Sequence, residues 1–140
     1  LLAAILLHEG GHLLYIAAER LRLTEIRLSL TGVRMALADS VPMTLRRQLL
    51  LNCSGPAVNL LTAAVTTLLD GGVQGERLAA VSLAVATVTL FPLGDSDGAA
   101  VLTALLERYG GFSGRAAVWI RIGCSLLAAA VLLALYGALG

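Results

Sequence analysis

Two histidines and a glutamate near the start of the chain are spaced so that they could bind and use a metal ion. In the segment His8-Glu9-Gly10-Gly11-His12, the two imidazoles are four residues apart, and residues four apart lie on one face of a helix. Zinc accepts neutral imidazole nitrogen, and a catalytic zinc site typically has three protein ligands and one water. Glu9 is offset by one helical step, where its carboxylate could take a proton from that water. The spacing therefore predicts zinc, with His8 and His12 as ligands and Glu9 as the catalytic base.

A third ligand must come from elsewhere in the chain. The segment Phe91-Pro92-Leu93-Gly94-Asp95-Ser96-Asp97-Gly98 offers two carboxylates directly after an apolar stretch. Proline and glycine break helices, which is tolerated at membrane depth only where the backbone is buried in protein or lines a watery cavity. In the simpler interpretation, the same aspartates only cap the next helix. Glu25 is a further candidate ligand if the motif belongs to a zinc enzyme whose third ligand is glutamate.

The composition predicts a membrane protein. Residues of the hydrophobic types AVILMFWYC make up 58% of the 140 positions, and charged residues make up 14%, against about 25% in soluble domains; the mean hydropathy is +0.87. A helix needs about 20 apolar residues to cross a bilayer. Four stretches of suitable length and low charge predict four transmembrane helices, at residues 1–18, 48–69, 78–94 and 122–140.

The remaining segments predict smaller elements. Apolar and polar residues alternate after the first span, at residues 21–30 and 33–37, which is typical of a small β-hairpin, with Thr31-Gly32 as its turn. A short helix is expected over residues 98–108, after the third span. The fold class is thus an all-α multi-pass membrane protein with one hairpin, organised as a single domain over residues 1–140. Because the chain begins with Leu1 inside an apolar stretch, we expect it to be trimmed at its N-terminus.

The distribution of arginine predicts the orientation in the cell membrane. The loop after the first span carries six arginines and three acidic residues, a net charge of +3, and arginine also predominates after the third span. The positive-inside rule places both loops in the cytoplasm. The whole chain has a formal net charge of +1 and no block of basic residues, so nothing in the charge pattern favours a nucleic-acid partner.

The position of the histidines favours a functional site over a chance motif. His8, Glu9 and His12 are ionisable groups inside a predicted span, where such groups are costly and are normally paired or functional, and the chain has no other histidine. Gly10 and Gly11 each weaken a helix by up to about 1 kcal/mol relative to alanine. Both glycines are expected where another backbone approaches closely.

Three segments together resemble the site-2 protease family of intramembrane zinc metalloproteases, and most of all its compact group similar to stage IV sporulation protein FB. They are the HEGGH motif, the segment Ser54-Gly55-Pro56-Ala57-Val58-Asn59, and Pro92 followed by Asp97-Gly98. The similarity covers residues 8–107. It implies His8, His12 and Asp97 as zinc ligands, Glu9 as the group that activates water, and Asn59 as a polar group near the substrate backbone.

The resemblance implies an activity and leaves alternatives open. The implied substrate is a regulatory membrane protein or a membrane-tethered transcription-factor precursor, cut in or near its transmembrane segment. Where family members often carry proline two residues before the aspartate, this chain has Asp95, which is therefore a rival to Asp97 as third ligand. A catalytically inert membrane scaffold or partner-binding protein of the same fold is the main alternative function. An ion transporter is a weaker one, because the chain has few spans and no internal repeat.

Overall fold

The computed structural model describes residues 1–29, 32–38, 43–69, 71–92, 94–111 and 114–139. Helices account for most of these residues, and two strands form one small antiparallel sheet. In chain order the elements are α1 (Leu2–Ala18), β1 (Leu23–Ser29), β2 (Gly32–Leu37), α2 (Leu45–Leu68), α3 (Gly72–Leu90), α4 (Asp97–Tyr109) and α5 (Gly114–Leu139). The predicted helical class with a single hairpin is confirmed.

The chain divides into two compact units. Residues Leu1–Thr87 form the first, which contains α1, the hairpin, α2 and most of α3, and Val88–Gly140 form the second, which contains α4 and α5. In the first unit α1 packs along α2, and in the second α4 packs against α5. The HEGGH motif lies on α1, so the packing of α1 against α2 decides how its histidines are held.

Glycine allows α1 and α2 to approach closely. A Cβ atom added to Gly11 would lie 2.6 Å from the carbonyl oxygen of Ser54 and 3.0 Å from the Cα of Gly55. The expectation of a close backbone approach is therefore confirmed for Gly11. For Gly10 it is wrong, because among the described residues a Cβ there meets nothing within 4 Å. The difference follows from helix geometry, since consecutive residues are about 100° apart around the axis and only one of them faces the neighbouring helix.

An ion pair and a cap fix the ends of these two helices. Arg47 Nε, near the start of α2, donates to Glu19 Oε2, directly after α1, at 3.1 Å. The hydroxyl of Thr44 accepts a hydrogen bond from the Arg47 backbone N–H at 3.3 Å and so caps α2, which satisfies one of its unpaired amides. Pro56 lies inside α2, where it cannot donate the helical bond to the Asn52 carbonyl, yet the helix continues to Leu68.

The β-hairpin forms where alternation predicted it. β1 pairs antiparallel with β2 in a register that places Ile26 opposite Met35, with one irregularity near Glu25. The side chain of Thr24 adds a hydrogen bond to the Ala36 carbonyl at 3.0 Å. Of the predicted turn, residue 31 lies outside the described residues, and Gly32 begins β2.

Helix α4 begins immediately after the Pro-Gly segment. The hydroxyl of Ser96 accepts a hydrogen bond from the Ala99 backbone N–H at 3.2 Å, and it also donates to the Phe91 carbonyl. A Cβ added to Gly98 would collide with the Leu90 carbonyl, so only glycine permits this return of the chain toward the end of α3. These contacts fix the position of Asp97, the first residue of α4.

Replacing Ser96 with alanine is expected to lower the free energy of unfolding by about 1 kcal/mol, because the first turn of α4 loses its cap. Ser96→Thr is the control, since threonine keeps the hydroxyl and should lose a few tenths of a kcal/mol at most. Chemical unfolding of the detergent-solubilised protein, followed by circular dichroism, measures both. Equal stability of Ser96→Ala and wild type would show that the cap contributes nothing.

The helices differ in their bounds from the predicted spans. α3 begins at Gly72, six residues before the predicted position, and α5 begins at Gly114, eight residues before it. The predicted spans were bounded by charged residues, whereas a helix can continue through them. α3 ends at Leu90 rather than at residue 94, because the residue before Pro92 disfavours the helical conformation. The predicted short helix at 98–108 is α4, to within one residue at each end.

By length and composition, one helix could cross a membrane. Among the described residues, α2 is the helix that is long and apolar enough to cross a bilayer, with 24 residues and a mean hydropathy of 1.3 over its most apolar 18-residue window. α1 is apolar but has 17 residues. Membrane crossing by α1, α3 and α5 remains a prediction.

Candidate metal centre

His8 and His12 face each other on one side of α1. Their Nε2 atoms are 3.2 Å apart, and the rings are nearly perpendicular, with an interplanar angle of 82°. Both side chains are buried, with 5% and 9% of their surface exposed. Two nitrogens that bind one tetrahedral zinc ion at 2.0–2.1 Å lie about 3.3 Å apart. The pair therefore already has the spacing of two ligands of one ion.

Helix α2 fixes the ring of His12. Its Nδ1 lies 2.8 Å from the Leu51 carbonyl oxygen and 3.2 Å from the Ser54 hydroxyl, which itself donates to the same carbonyl at 2.7 Å. Since a carbonyl only accepts, His12 donates from Nδ1 to Leu51. In the neutral ring, its Nε2 then carries a lone pair, as a zinc ligand requires.

Asn59 lies against His8. Its Nδ2 is 3.5 Å from His8 Nδ1, and the side chain is completely buried. Within the described residues, its Oδ1 atom has no hydrogen-bond partner although it is buried. Such an atom is unusual, because buried polar groups are nearly always paired. The predicted contact between Asn59 and the substrate backbone remains a prediction; the contact that the structure shows is with a candidate metal ligand.

Gly55 provides the space for both imidazoles. A Cβ at this position would lie 2.4 Å from His12 Nε2 and 2.8 Å from His8 Cε1, distances that real Cβ atoms do not reach. Gly55 therefore lies directly against both imidazole rings, and any larger residue at this position would displace them.

Asp97, the expected third ligand, is the first residue of α4 in the second compact unit, and it is half-buried. Its rivals Asp95 and Glu25 are exposed. Two imidazoles and a carboxylate are a donor set that zinc accepts in catalytic sites. The choice of Asp97 as the third ligand remains a prediction.

Glu9 is half-buried on α1, between the two histidines in sequence. Helical geometry turns its side chain about 100° from His8 around the axis. Its role as the base remains a prediction.

Three contributors to the site were missed in the sequence. They are the Leu51 carbonyl, the Ser54 hydroxyl and the space above Gly55. The sequence shows that Leu51, Gly55 and Asn59 follow one another at intervals of four, which places them on one face of α2, but it does not show which helix that face contacts. The resemblance to site-2 proteases depends partly on the Ser54–Asn59 segment, but it implies a role only for Asn59.

Comparison with known proteins adds no relative: no protein-family model matches the chain, and no curated protein matches it. The resemblance to site-2 proteases therefore depends on the three motifs. Any function has to be inferred from the chain's own residues.

Proposed function

We propose that the chain is an intramembrane zinc metalloprotease that hydrolyses a peptide bond in or near a transmembrane segment of another protein. The observation that carries the proposal is the buried pair of His8 and His12, whose Nε2 atoms lie 3.2 Å apart. Glu9 follows the first histidine, and Asp97 is the third ligand that the resemblance implies. A histidine pair with a carboxylate is a zinc-binding set, and the glutamate after the first histidine is the base that hydrolysis requires.

In this proposal the chain's own residues divide the work of hydrolysis. A bound zinc ion supplies Lewis acidity, which acidifies water and polarises a peptide carbonyl. Glu9 accepts a proton from water while the water oxygen bonds to the carbonyl carbon. Glu9 then donates that proton to the amine nitrogen as the C–N bond breaks. His8, His12 and Asp97 hold the ion, and the contacts of α2 keep His12 in the required tautomer.

The proposed location is the cell membrane, with α1, α2, α3 and α5 spanning it. Each of these helices exposes large apolar side chains: Leu14 is 69% exposed, Leu61 63%, Leu83 52% and Leu126 67%. Only 22% of the most apolar window of α2 is buried within the protein. Soluble monomers rarely expose apolar surface on this scale, whereas lipid covers it without cost. By the positive-inside rule, we expect the arginine-rich segment between α1 and α2 to be cytoplasmic, together with the arginines that follow α3 on α4 and α5.

The proposed substrate class follows from the resemblance. It is a regulatory membrane protein or a membrane-tethered transcription-factor precursor, and for the group similar to stage IV sporulation protein FB it belongs to the control of sporulation. A peptide bond inside a helix is shielded, so the substrate must unwind locally. The edge of the β1–β2 hairpin is a surface on which an unwound segment could pair as an added strand.

The main alternative is an inert scaffold of the same fold, and metal analysis separates the two. The purified protein in detergent, dialysed against buffer with trace zinc, is expected to contain one zinc per chain by atomic emission. A chain without stoichiometric metal would support the scaffold and refute the protease.

Removal of the third ligand is expected to weaken zinc binding more than about 100-fold, since loss of a mere outer-sphere partner already costs 10–100-fold. Asp97→Asn is the variant. The matched control is Asp95→Asn, which removes an equal charge two residues away and should keep the wild-type dissociation constant. Competition with a chromophoric chelator measures all three proteins. If Asp95→Asn or Glu25→Gln lost zinc and Asp97→Asn did not, the third ligand would be misassigned.

A further inference from the structure

We propose that Asn59 is a positioning residue for His8, and that its amide turns over when zinc binds so that its oxygen accepts the His8 Nδ1 proton. The inference depends on the zinc site proposed above. It concerns the second ring nitrogen of His8, for which the sequence suggested no partner.

The hydrogen bonds of the two histidines indicate which ring nitrogen of each one carries its proton in the structure. His12 Nδ1 must donate to the Leu51 carbonyl, so in a neutral His12 ring Nε2 can only accept. Across the 3.2 Å contact, His8 Nε2 is then the donor. A neutral His8 with its proton on Nε2 has a lone pair on Nδ1, and the Asn59 amide nitrogen at 3.5 Å donates toward it.

Zinc binding requires the opposite tautomer at His8. A neutral imidazole that binds metal through Nε2 carries its proton on Nδ1. His8 therefore loses its Nε2 proton and gains one at Nδ1, with no change in charge. Nδ1 now needs an acceptor, and an amide nitrogen cannot serve.

Asparagine can meet both requirements. Rotation of its amide by 180° exchanges an oxygen acceptor for a nitrogen donor of almost the same shape. Asn59 Oδ1 is buried and has no partner within the part of the chain that the structure describes, so the rotation breaks no hydrogen bond of that oxygen. It places the oxygen beside the His8 Nδ1 proton instead.

The placement of Asn59 favours this role over contact with a substrate. Asn59 is completely buried, and it lies one and two helical turns beyond Gly55 and Leu51 on the same face of α2. Helix α2 thus gives the Nδ1 atom of each histidine a partner, a backbone carbonyl for His12 and a side-chain amide for His8.

Zinc affinity tests the role without reference to activity. Asn59→Leu has similar volume but no acceptor and should raise the zinc dissociation constant 10–100-fold. Asn59→Asp retains an acceptor and should bind zinc at least as tightly as wild type. The matched control is Asn52→Leu, because Asn52 lies on the same helix but donates to its own helix, to the Gln48 carbonyl at 2.9 Å; it should bind zinc like wild type.

The outcomes separate this inference from the proposed function. If the wild type bound zinc and Asn59→Leu bound it equally tightly, the positioning role would be refuted while the zinc site stood. If Asn59→Asp weakened binding as much as Asn59→Leu, the acceptor argument would be wrong. This second comparison decides the matter even if Asn59→Leu does not fold. Absence of zinc from the wild type would overturn the zinc site and the role of Asn59 together.

Discussion

Replacing Glu9 with glutamine is expected to lower kcat for peptide hydrolysis by about 10²–10⁴-fold while zinc remains bound. Glutamine has the same shape but cannot accept a proton from water or deliver one to the leaving amine. The loss corresponds to about 3–5 kcal/mol of activation free energy. KM should change little, because Glu9 acts on water and on the leaving nitrogen rather than on substrate binding.

The measurement uses the whole chain in proteoliposomes with a set of single-span membrane proteins tagged at both ends. Loss of the full-length substrate and appearance of both tagged fragments report cleavage, and zinc content is measured on the same preparations. Glu76→Gln is the matched control, since Glu76 is an exposed glutamate on α3 and its loss should leave the rate unchanged. Cleavage by zinc-loaded Glu9→Gln at the wild-type rate would remove Glu9 from the mechanism.

The sequence predicted structure well where residues repeat at a short, regular spacing, because that spacing fixes which side chains share a face. Two histidines four residues apart must share a face of α1, and their Nε2 atoms are indeed 3.2 Å apart. Alternation of apolar and polar residues likewise predicted β1 and β2, although its phase shifts between Leu23 and Ile26, where the pairing is irregular. In both cases the relevant neighbours are close along the chain, so local backbone geometry is sufficient.

Helix ends were less predictable. An uncharged stretch indicates which residues could lie inside a bilayer, but the helix that contains it can be longer than that stretch. α3 includes Glu76 and Arg77 in its early turns, and α5 includes Arg115 and Arg121. Long charged side chains near helix ends extend toward water, so they do not stop the helix. Pro92 was the more reliable signal, since α3 ends just before it.

The support of the site by α2 could not be predicted from the sequence, since it depends on how two helices are rotated against each other. Whether Gly10 or Gly11 meets α2 is decided by packing across the whole helix pair, and the same packing brings the Leu51 carbonyl to His12. The role of Gly55 was equally hidden, because a glycine in a membrane helix is common and gains meaning only from what its missing Cβ would touch.

Replacing Gly55 with alanine is expected to weaken zinc binding about 100-fold or more while the fold persists. The added Cβ would lie 2.4 Å from His12 Nε2, so that imidazole must move by about 1 Å, and displacements of this size cost about 10²-fold at a preorganised site. The atoms that give way are at the end of a side chain, so the backbone need not shift. Alanine also favours the helix by up to about 1 kcal/mol relative to glycine.

Alanine substitutions at Gly10 and Gly11 are the controls for Gly55→Ala. Gly10→Ala places a Cβ where no described residue lies within 4 Å, and it should keep wild-type zinc affinity with equal or higher stability. Gly11→Ala meets the Ser54 backbone carbonyl at 2.6 Å, which cannot swing aside as a side chain can, so it should lower the free energy of unfolding by about 1–3 kcal/mol, as overpacking does. Chelator competition and chemical unfolding on the three variants give both quantities. Wild-type zinc affinity in a folded Gly55→Ala variant would mean that the imidazoles do not bind metal in the positions they occupy against α2.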